Sequence, residues 1–526
     1  MNRAGLKNEV ERRWPADAQI RFDDAAPICE INCPHSLLAE ICGRLFLEWD
    51  FSFAGLIVDE IADEWQLRYC FYGEPDAGWV HVILKASLGE TTFPSIVKFV
   101  HSADWHEREA EDLFGLSFEG HPRLGDFVLH NNLWQENVAP MRRHFDPDAA
   151  LAQRKGDADW RPRRILHDEG AFAMPIGPKY SGVTESVHFL LETVGEDVVR
   201  AAPRLFYKWR AIEKHAEGKS ADDVLLLAER FAATTAFAHG LAFCQAVESV
   251  CGAKVPARAR HLRVFLAELE RLRQHAGAIQ EICESTALVV ANSQAGILEE
   301  DLLRISGELA GHRYLFGLLS LGGLLCDLSD EACGAALARA QRTLEQLNEL
   351  EARLRVSSSF LDRLEEVGFI ALKDATAYGL LGPIARASGL VRDLRRAKPY
   401  SGYENFDFEI PSEREGDGYA RLRVLFAEAR QSVRIMEQAL AAVGSGSVRE
   451  PIHFRAGASL GAVEAPRGGT FHWLRLDDDG RIARYRVVTP SFANWHGFHL
   501  AVENFAFQDF PIILSTFDLS VAENDR

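Results

Sequence analysis

Residues 229–240 read Glu229-Arg230-Phe231-Ala232-Ala233-Thr234-Thr235-Ala236-Phe237-Ala238-His239-Gly240, and Leu-Ala-Phe-Cys-Gln-Ala-Val-Glu248 follows. Upstream, Ser220 and Asp223 form a capping-box start, and Val224, Leu227 and Phe231 recur at helical spacing. The pattern predicts a helix running on through the quoted stretch, with Ala232, Thr235 and His239 on one small, almost uncharged face.

Working outward, the chain has 526 residues, 47% of them apolar, enough for large cores and two to four domains. Its 58 basic and 77 acidic residues leave a net charge of -19, which argues against nucleic acid or an anionic lipid surface as the main partner. The longest uncharged apolar run, between Arg313 and Asp327, is shorter than the roughly 18 to 20 residues a membrane span needs. The N-terminus lacks the apolar core of a secretory signal, so a cytoplasmic protein is expected, held at any membrane by other subunits. Nine cysteines include no Cys-x-x-Cys pair; Cys244, Cys251, Cys283 and Cys326 lie in apolar helical patterns and are expected as small buried hydrophobes.

Residues 1–146 read as an α/β domain, with a helix over 36–46, strands over 51–57, 65–71 and 79–84, and a strand leading into a helix near 97–105. A polar, charged linker covers 147–170. A second domain, 171–526, opens with a hairpin around Gly195 and continues with helices over 257–281, 299–328, 331–356 and 419–442. A hairpin over 472–488 turns at Asp479-Gly480. In the helix over 257–281, Glu268, Arg271 and His275 share a face, read as an ion-paired polar face within a bundle.

The run Glu107, Arg108, Glu109, Asp112, Phe114, Gly115, Phe118, Gly120, His121 and Pro122 is similar to the signature of the 30 kDa subunit of complex I, the proton-pumping NADH:quinone oxidoreductase. There it is a docking and folding element. The stretch 229–240 resembles the first cluster motif of the membrane-bound, energy-converting NiFe hydrogenase large subunits of hydrogenase-4 and formate hydrogenlyase type, Glu-Arg-Val-Cys-Gly-Ile-Cys-Gly-Phe-Ala-His-Ser. These share their fold with the 49 kDa subunit of complex I. Further elements of that family are Glu268, Arg271 and His275; the loop with Arg386 and Arg392; Glu464 to Gly468, with Arg467; and a C-terminal motif that superposes through Asp518, Asp525 and Arg526.

The resemblance implies an α+β protein: an α/β domain of the 30 kDa type, then a mainly helical bundle with small antiparallel sheets. It places the four thiolate ligands of the NiFe centre at Ala232, Thr235, Ser520 and Glu523. Methyl, hydroxyl and carboxylate groups cannot supply the soft donor set such a centre needs, so no nickel is expected. Glu185 falls at the hydrogenase glutamate; with His239 it is a candidate for a pocket or a proton path.

The histidine and tyrosine of the quinone site in the 49 kDa subunit fall on Thr184 and Ala233, so both proton donors are missing, although Tyr180 is near in sequence. A quinone-like pocket is expected around Tyr180, Thr184, Ala233 and Asp518, apolar with a few polar groups. A harder ion on Glu185, His239, Asp518 and Glu523 is the lesser alternative. The implied partners are an iron-sulfur small subunit, which holds the clusters, and antiporter-like membrane subunits at the inner face of the cell membrane. The protein is then either a redox subunit lining a quinone-like pocket or an inert structural and coupling subunit.

Overall fold

The computed structural model describes residues 2–15, 19–22, 28–135, 138–154, 156–157, 159–179 and 185–526. The fold is α+β. Alternation of large apolar residues in the first domain builds a five-stranded sheet in the order Gln19–Phe22, Ile28–Asn32, Trp79–Ser87, Glu64–Tyr72, Ser52–Ile61. Within it only Ile28–Asn32 and Trp79–Ser87 pair in parallel. The helix His35–Leu47 lies on the sheet, burying Leu38, Ile41, Cys42 and Leu45.

The expected strand and helix near residue 97 sit differently. A short strand, Thr92–Pro94, pairs with Ser117–Glu119, and the helix carrying Glu107, Arg108 and Glu109 runs Asp104–Phe114. Gly115, at φ 70, ends that helix in the left-handed conformation that glycine adopts without steric cost.

The second domain is organised on the 29-residue helix Ala257–Ser285, which packs against Val289–Ala310 on one side and Gly418–Ala442 on another. The helix expected over 299–328 stops at Ala310, and the chain continues into a two-residue ribbon, Leu319–Ser320 with Gly323–Leu324. The hairpin His188–Val194 and Asp197–Arg204 forms around Gly195 as read, joined by Ala171–Ile176. The second hairpin, Gly468–Leu476 with Ile482–Val488, gains a third strand, Gly457–Ala465, that its small residues concealed. That strand lies against the helix Ala236–Cys251 so closely that a Cβ on Gly461 would strike the carbonyl oxygen of Ala242.

The two domains share one apolar core. Trp105 and His106 of the helix Asp104–Phe114 meet Phe492 edge to face, with centroids 5.6 and 5.0 Å apart. All nine cysteines are free thiols; Cys244 and Cys283 are buried, Cys251 is half-buried, and Cys326 is exposed because the helix expected around it ends sooner.

Candidate functional site

The quoted stretch is two helices with a break between them. Ser220 Oγ accepts the N–H of Asp223 at 3.2 Å at the start of the first helix, Ala221–Arg230; the second is Ala236–Cys251. The buried carboxylate of Glu270 accepts the N–H groups of Phe237 and Ala238 at 2.7 and 3.0 Å, satisfying donors that a fresh helix start exposes. Arg273 donates to the carbonyl of Thr234. With its broken ends satisfied from the neighbouring helix, the segment takes a single 3-10 turn, Ala233–Thr235, rather than the continuous helix its periodicity predicts.

This break brings Thr235 and His239 to the C-terminal motif, with Ala232 buried at the start of the turn. Glu523, fully buried, is the centre of the group. Its Oε1 accepts from Thr235 Oγ1 at 3.0 Å and from Arg467 Nη1 at 3.4 Å, and lies 3.7 Å from His239 Nε2. Its Oε2 accepts the Ser491 N–H at 3.2 Å. Ser520 Oγ accepts the N–H of Glu523 at 3.2 Å, closing the C-terminal turn. Burial alone would raise the Glu523 carboxyl, but the nearby His239 imidazole and the Arg467 charge outweigh it and bring it down to about 2. Glu523 is therefore a carboxylate with both oxygens engaged.

Arg467 is held by its neighbours. It donates to the Asp518 carbonyl at 2.6 Å, to Asp518 Oδ1 at 3.0 Å and to Thr234 Oγ1 at 3.0 Å. Gly382, at φ 65, lies so close that a Cβ there would meet the carbonyl of Arg467. Gln274 Nε2 reaches both oxygens of Asp518 at 2.9 Å. Ala233, Thr234 and Asp518 are half-buried, so this rim of the group faces outward.

Behind His239 a chain of polar groups runs inward. His239 Nδ1 lies 3.1 Å from His472 Nε2 and 3.1 Å from Thr470 Oγ1, and His472 Nδ1 lies 2.7 Å from the Tyr485 hydroxyl. Burial holds His472 well below the usual imidazole range, and the neighbouring His239 adds to the effect. Sequence reasoning missed His472, Thr470, Tyr485, Ser491 and Glu270; the alternation of Thr470 and His472 along an inward strand face was the available signal.

Other predicted residues lie elsewhere. Glu185 is exposed and accepts the Ala522 N–H at 2.8 Å; it stands at the C-terminal turn but does not reach the buried group. Tyr180 and Thr184 lie outside the described residues. Among the described residues no set of three or more His, Cys, Asp or Glu side chains is disposed to hold a metal ion.

In the stretch from Glu107 to Pro122, Glu109 crosses between domains, to Arg526 at 2.8 Å and to Arg486. Glu107, Asp112 and His121 instead bind within the first domain. Glu107 takes Ser95 Oγ at 2.6 Å and the Ile96 N–H at 2.9 Å, and burial pushes its carboxyl up to about 7. Asp112 accepts three successive N–H groups, Phe127 to Leu129. His121 pairs with Asp104 at 3.0 Å. Arg108 donates to the carbonyls of Gly125 and Asp126.

Arg392 reaches the first domain at Asp50 and Ser52. Glu268, Arg271, His275 and Arg386 join Glu428, Asp393, Arg395 and Glu464 in a dry ionic network.

Comparison with known proteins agrees with this architecture. Residues 31–150 match the family model described as respiratory-chain NADH dehydrogenase, 30 Kd subunit, and residues 297–453 and 446–526 match that of the 49 Kd subunit. Formate hydrogenlyase subunit 5 of Escherichia coli (strain K12) is 29% identical over 456 residues, covering 85% of this chain and 79% of that protein. The fused C/D subunit of the NADH-quinone oxidoreductase of Acinetobacter baylyi is 28% identical over 494 residues, 84% of this chain and 82% of that protein. Its counterpart in Bdellovibrio bacteriovorus is 27% identical over 493 residues, 87% of each. The protein thus joins domains of the 30 Kd and 49 Kd subunit types of complex I in one polypeptide, and it is similar both to C/D subunits of NADH-quinone oxidoreductases and to formate hydrogenlyase subunit 5.

Proposed function

We propose that the protein is a subunit of a membrane-associated, respiratory-type redox complex in which the NiFe site of its hydrogenase-like relatives has been replaced by a fixed carboxylate network. In this reading residues 1–146 are the docking domain, 147–170 the connector and 171–526 the large-subunit domain. The observation that carries the proposal is the Glu523 carboxylate, bound by Thr235, Arg467 and Ser491 where the family resemblance puts metal thiolates.

A NiFe centre does not fit these residues. Nickel and an iron with strong-field ligands require four soft donors, whereas the four positions offer a methyl, two hydroxyls and a carboxylate already engaged by an arginine. No chemical step is therefore assigned to such a centre. An iron-sulfur partner subunit packs against the outward rim at Ala233, Thr234 and Asp518, and antiporter-like subunits hold the assembly at the inner face of the membrane. No helix among the described residues is long and apolar enough to cross a membrane.

At that rim a quinone headgroup would meet Thr234, Arg467 and Gln274 rather than the tyrosine and histidine of the 49 kDa subunit. The test is quinone-dependent oxidation of the partner's iron-sulfur centres in the purified complex. Oxidation that is lost in an Ala233→Trp variant supports the quinone role. No oxidation by any quinone, with complex function unchanged in Ala233→Trp, leaves the protein a structural and coupling subunit. The saturated hydrogen bonding of Glu523 favours that second reading.

A further inference from the structure

We propose that the cleft between the hairpin His188–Arg204, the docking helix Asp104–Phe114 and the helix Pro490–Val502 binds a phosphate-bearing small molecule of the nucleotide class. The cleft encloses about 760 Å³, within the range of small-molecule sites. In a chain of net charge -19, its walls gather Arg108, Arg123, Arg163, Arg200 and Arg204 against Asp104, Asp126 and Glu503.

Two of the five arginines are neutralised: Arg200 pairs with Glu192, and Arg204 with Asp126 at 2.8 Å. Arg123 and Arg163, both exposed, make no ion pair among the described residues, and neither does Arg108. Arg108 is 4% exposed, lies 4.3 Å over the Phe127 ring, and holds its Nε without a hydrogen-bond partner. A guanidinium desolvated in this way without a carboxylate is costly unless an anion completes it. Burial pulls the Arg108 guanidinium down to about 10 and Arg123 adds repulsion, against which Asp104, Asp112 and Asp126 act from a distance without forming an ion pair. Arg108, Arg123 and Arg163 thus bring positive charge without an ion-pair partner to one open space, where a polyanion would meet all three.

The planar fork of arginine matches phosphate oxygens in pairs. The half-buried rings of Trp160, which already carries Arg204 4.0 Å over one face, and Tyr378, packed against His101 and His496, line the same space as aromatic surface for a base. Such a ligand would lie one residue from the Glu523 turn, because the cleft residue Trp495 donates its indole N–H to the Ser520 carbonyl at 3.4 Å.

The test is calorimetric titration of the full-length protein with pyrophosphate and with ATP, repeated on the double variant Arg123→Ala/Arg163→Ala. Both arginines are exposed and make no ion pair, so the variant keeps its fold. The expected result is binding with Kd below about 1 mM, ATP tighter than pyrophosphate, and a loss of about tenfold or more in the variant. Absence of binding by either probe, binding that the double variant leaves unchanged, or ATP no tighter than pyrophosphate would overturn the proposal. So would cross-linking, in the intact complex, that finds an acidic segment of another subunit filling the cleft.

Discussion

The helix Ala257–Ser285 carries two charged stripes whose surroundings differ. On one, Glu268, Arg271 and His275 face a dry shell: Arg386 binds Glu428 at 2.7 Å and Glu464 at 2.9 Å, Arg395 binds Glu268 at 3.0 Å and Asp393 at 2.7 Å, and His275 meets Glu428 at 2.9 Å. Four carboxylates and three guanidiniums nearly cancel there, away from solvent. On the other stripe, Glu270, Arg273 and Gln274 hold a broken helix and, through Asp518, Arg467 and Glu523. This second group reaches half-exposed residues. The first network fixes helices and a loop to one another; the second presents a constrained, outward-facing rim at Ala233, Thr234 and Asp518.

Substitution should separate the two networks by size of effect. Arg386→Ala removes the guanidinium that Glu428 and Glu464 share, leaving Glu428 to His275 and Glu464 to the Leu394 N–H in a buried site, and a loss of roughly 3–5 kcal/mol, or no soluble protein, is expected on thermal denaturation. Glu523→Ala frees the Thr235 hydroxyl and the Ser491 N–H but leaves Arg467 its bonds to Asp518, so a smaller cost of about 1–3 kcal/mol is expected in the same assay. Equal losses would show that the cradle is as much a structural weld as the dry shell.

The pH dependence sharpens the contrast further. The Glu523 carboxyl lies at about 2 when folded, against an ordinary value of 4.5, so it adds stability above about pH 4.5 that is lost as pH falls toward 2. Glu523→Gln should flatten that acid limb in a series of melting curves, and an unchanged limb would refute the ionised state. The smallest effect belongs to Glu185: exposed and bound to the Ala522 N–H, its Glu185→Ala variant should stay within about 0.5 kcal/mol of the parent in the melting assay.

Much of this was legible in the chain. The α+β class and the pairing of Thr235 and His239 with Glu523 were implied by the family resemblance of the motifs. The helix break was not legible, because it depends on Glu270, more than thirty positions downstream, offering its carboxylate to Phe237 and Ala238. Periodicity reports which residues share a face, and it cannot report a cap supplied by another helix. The polar filling of the expected apolar pocket was hidden for the same reason. Arg467 and Glu523 are distant in sequence, and only their meeting shows that a charged pair occupies the space. Glu185, aligned with the hydrogenase glutamate, lies outside because its side chain turns to the Ala522 backbone.

Glu523 in the place of a metal ligand is the claim on which the rest depends. Elemental analysis of the full-length protein, purified with its partner subunits from nickel-supplemented cells, tests it most directly. The expected result is nickel far below one atom per chain, unchanged in Glu523→Gln; stoichiometric nickel that disappears in Glu523→Gln would contradict it.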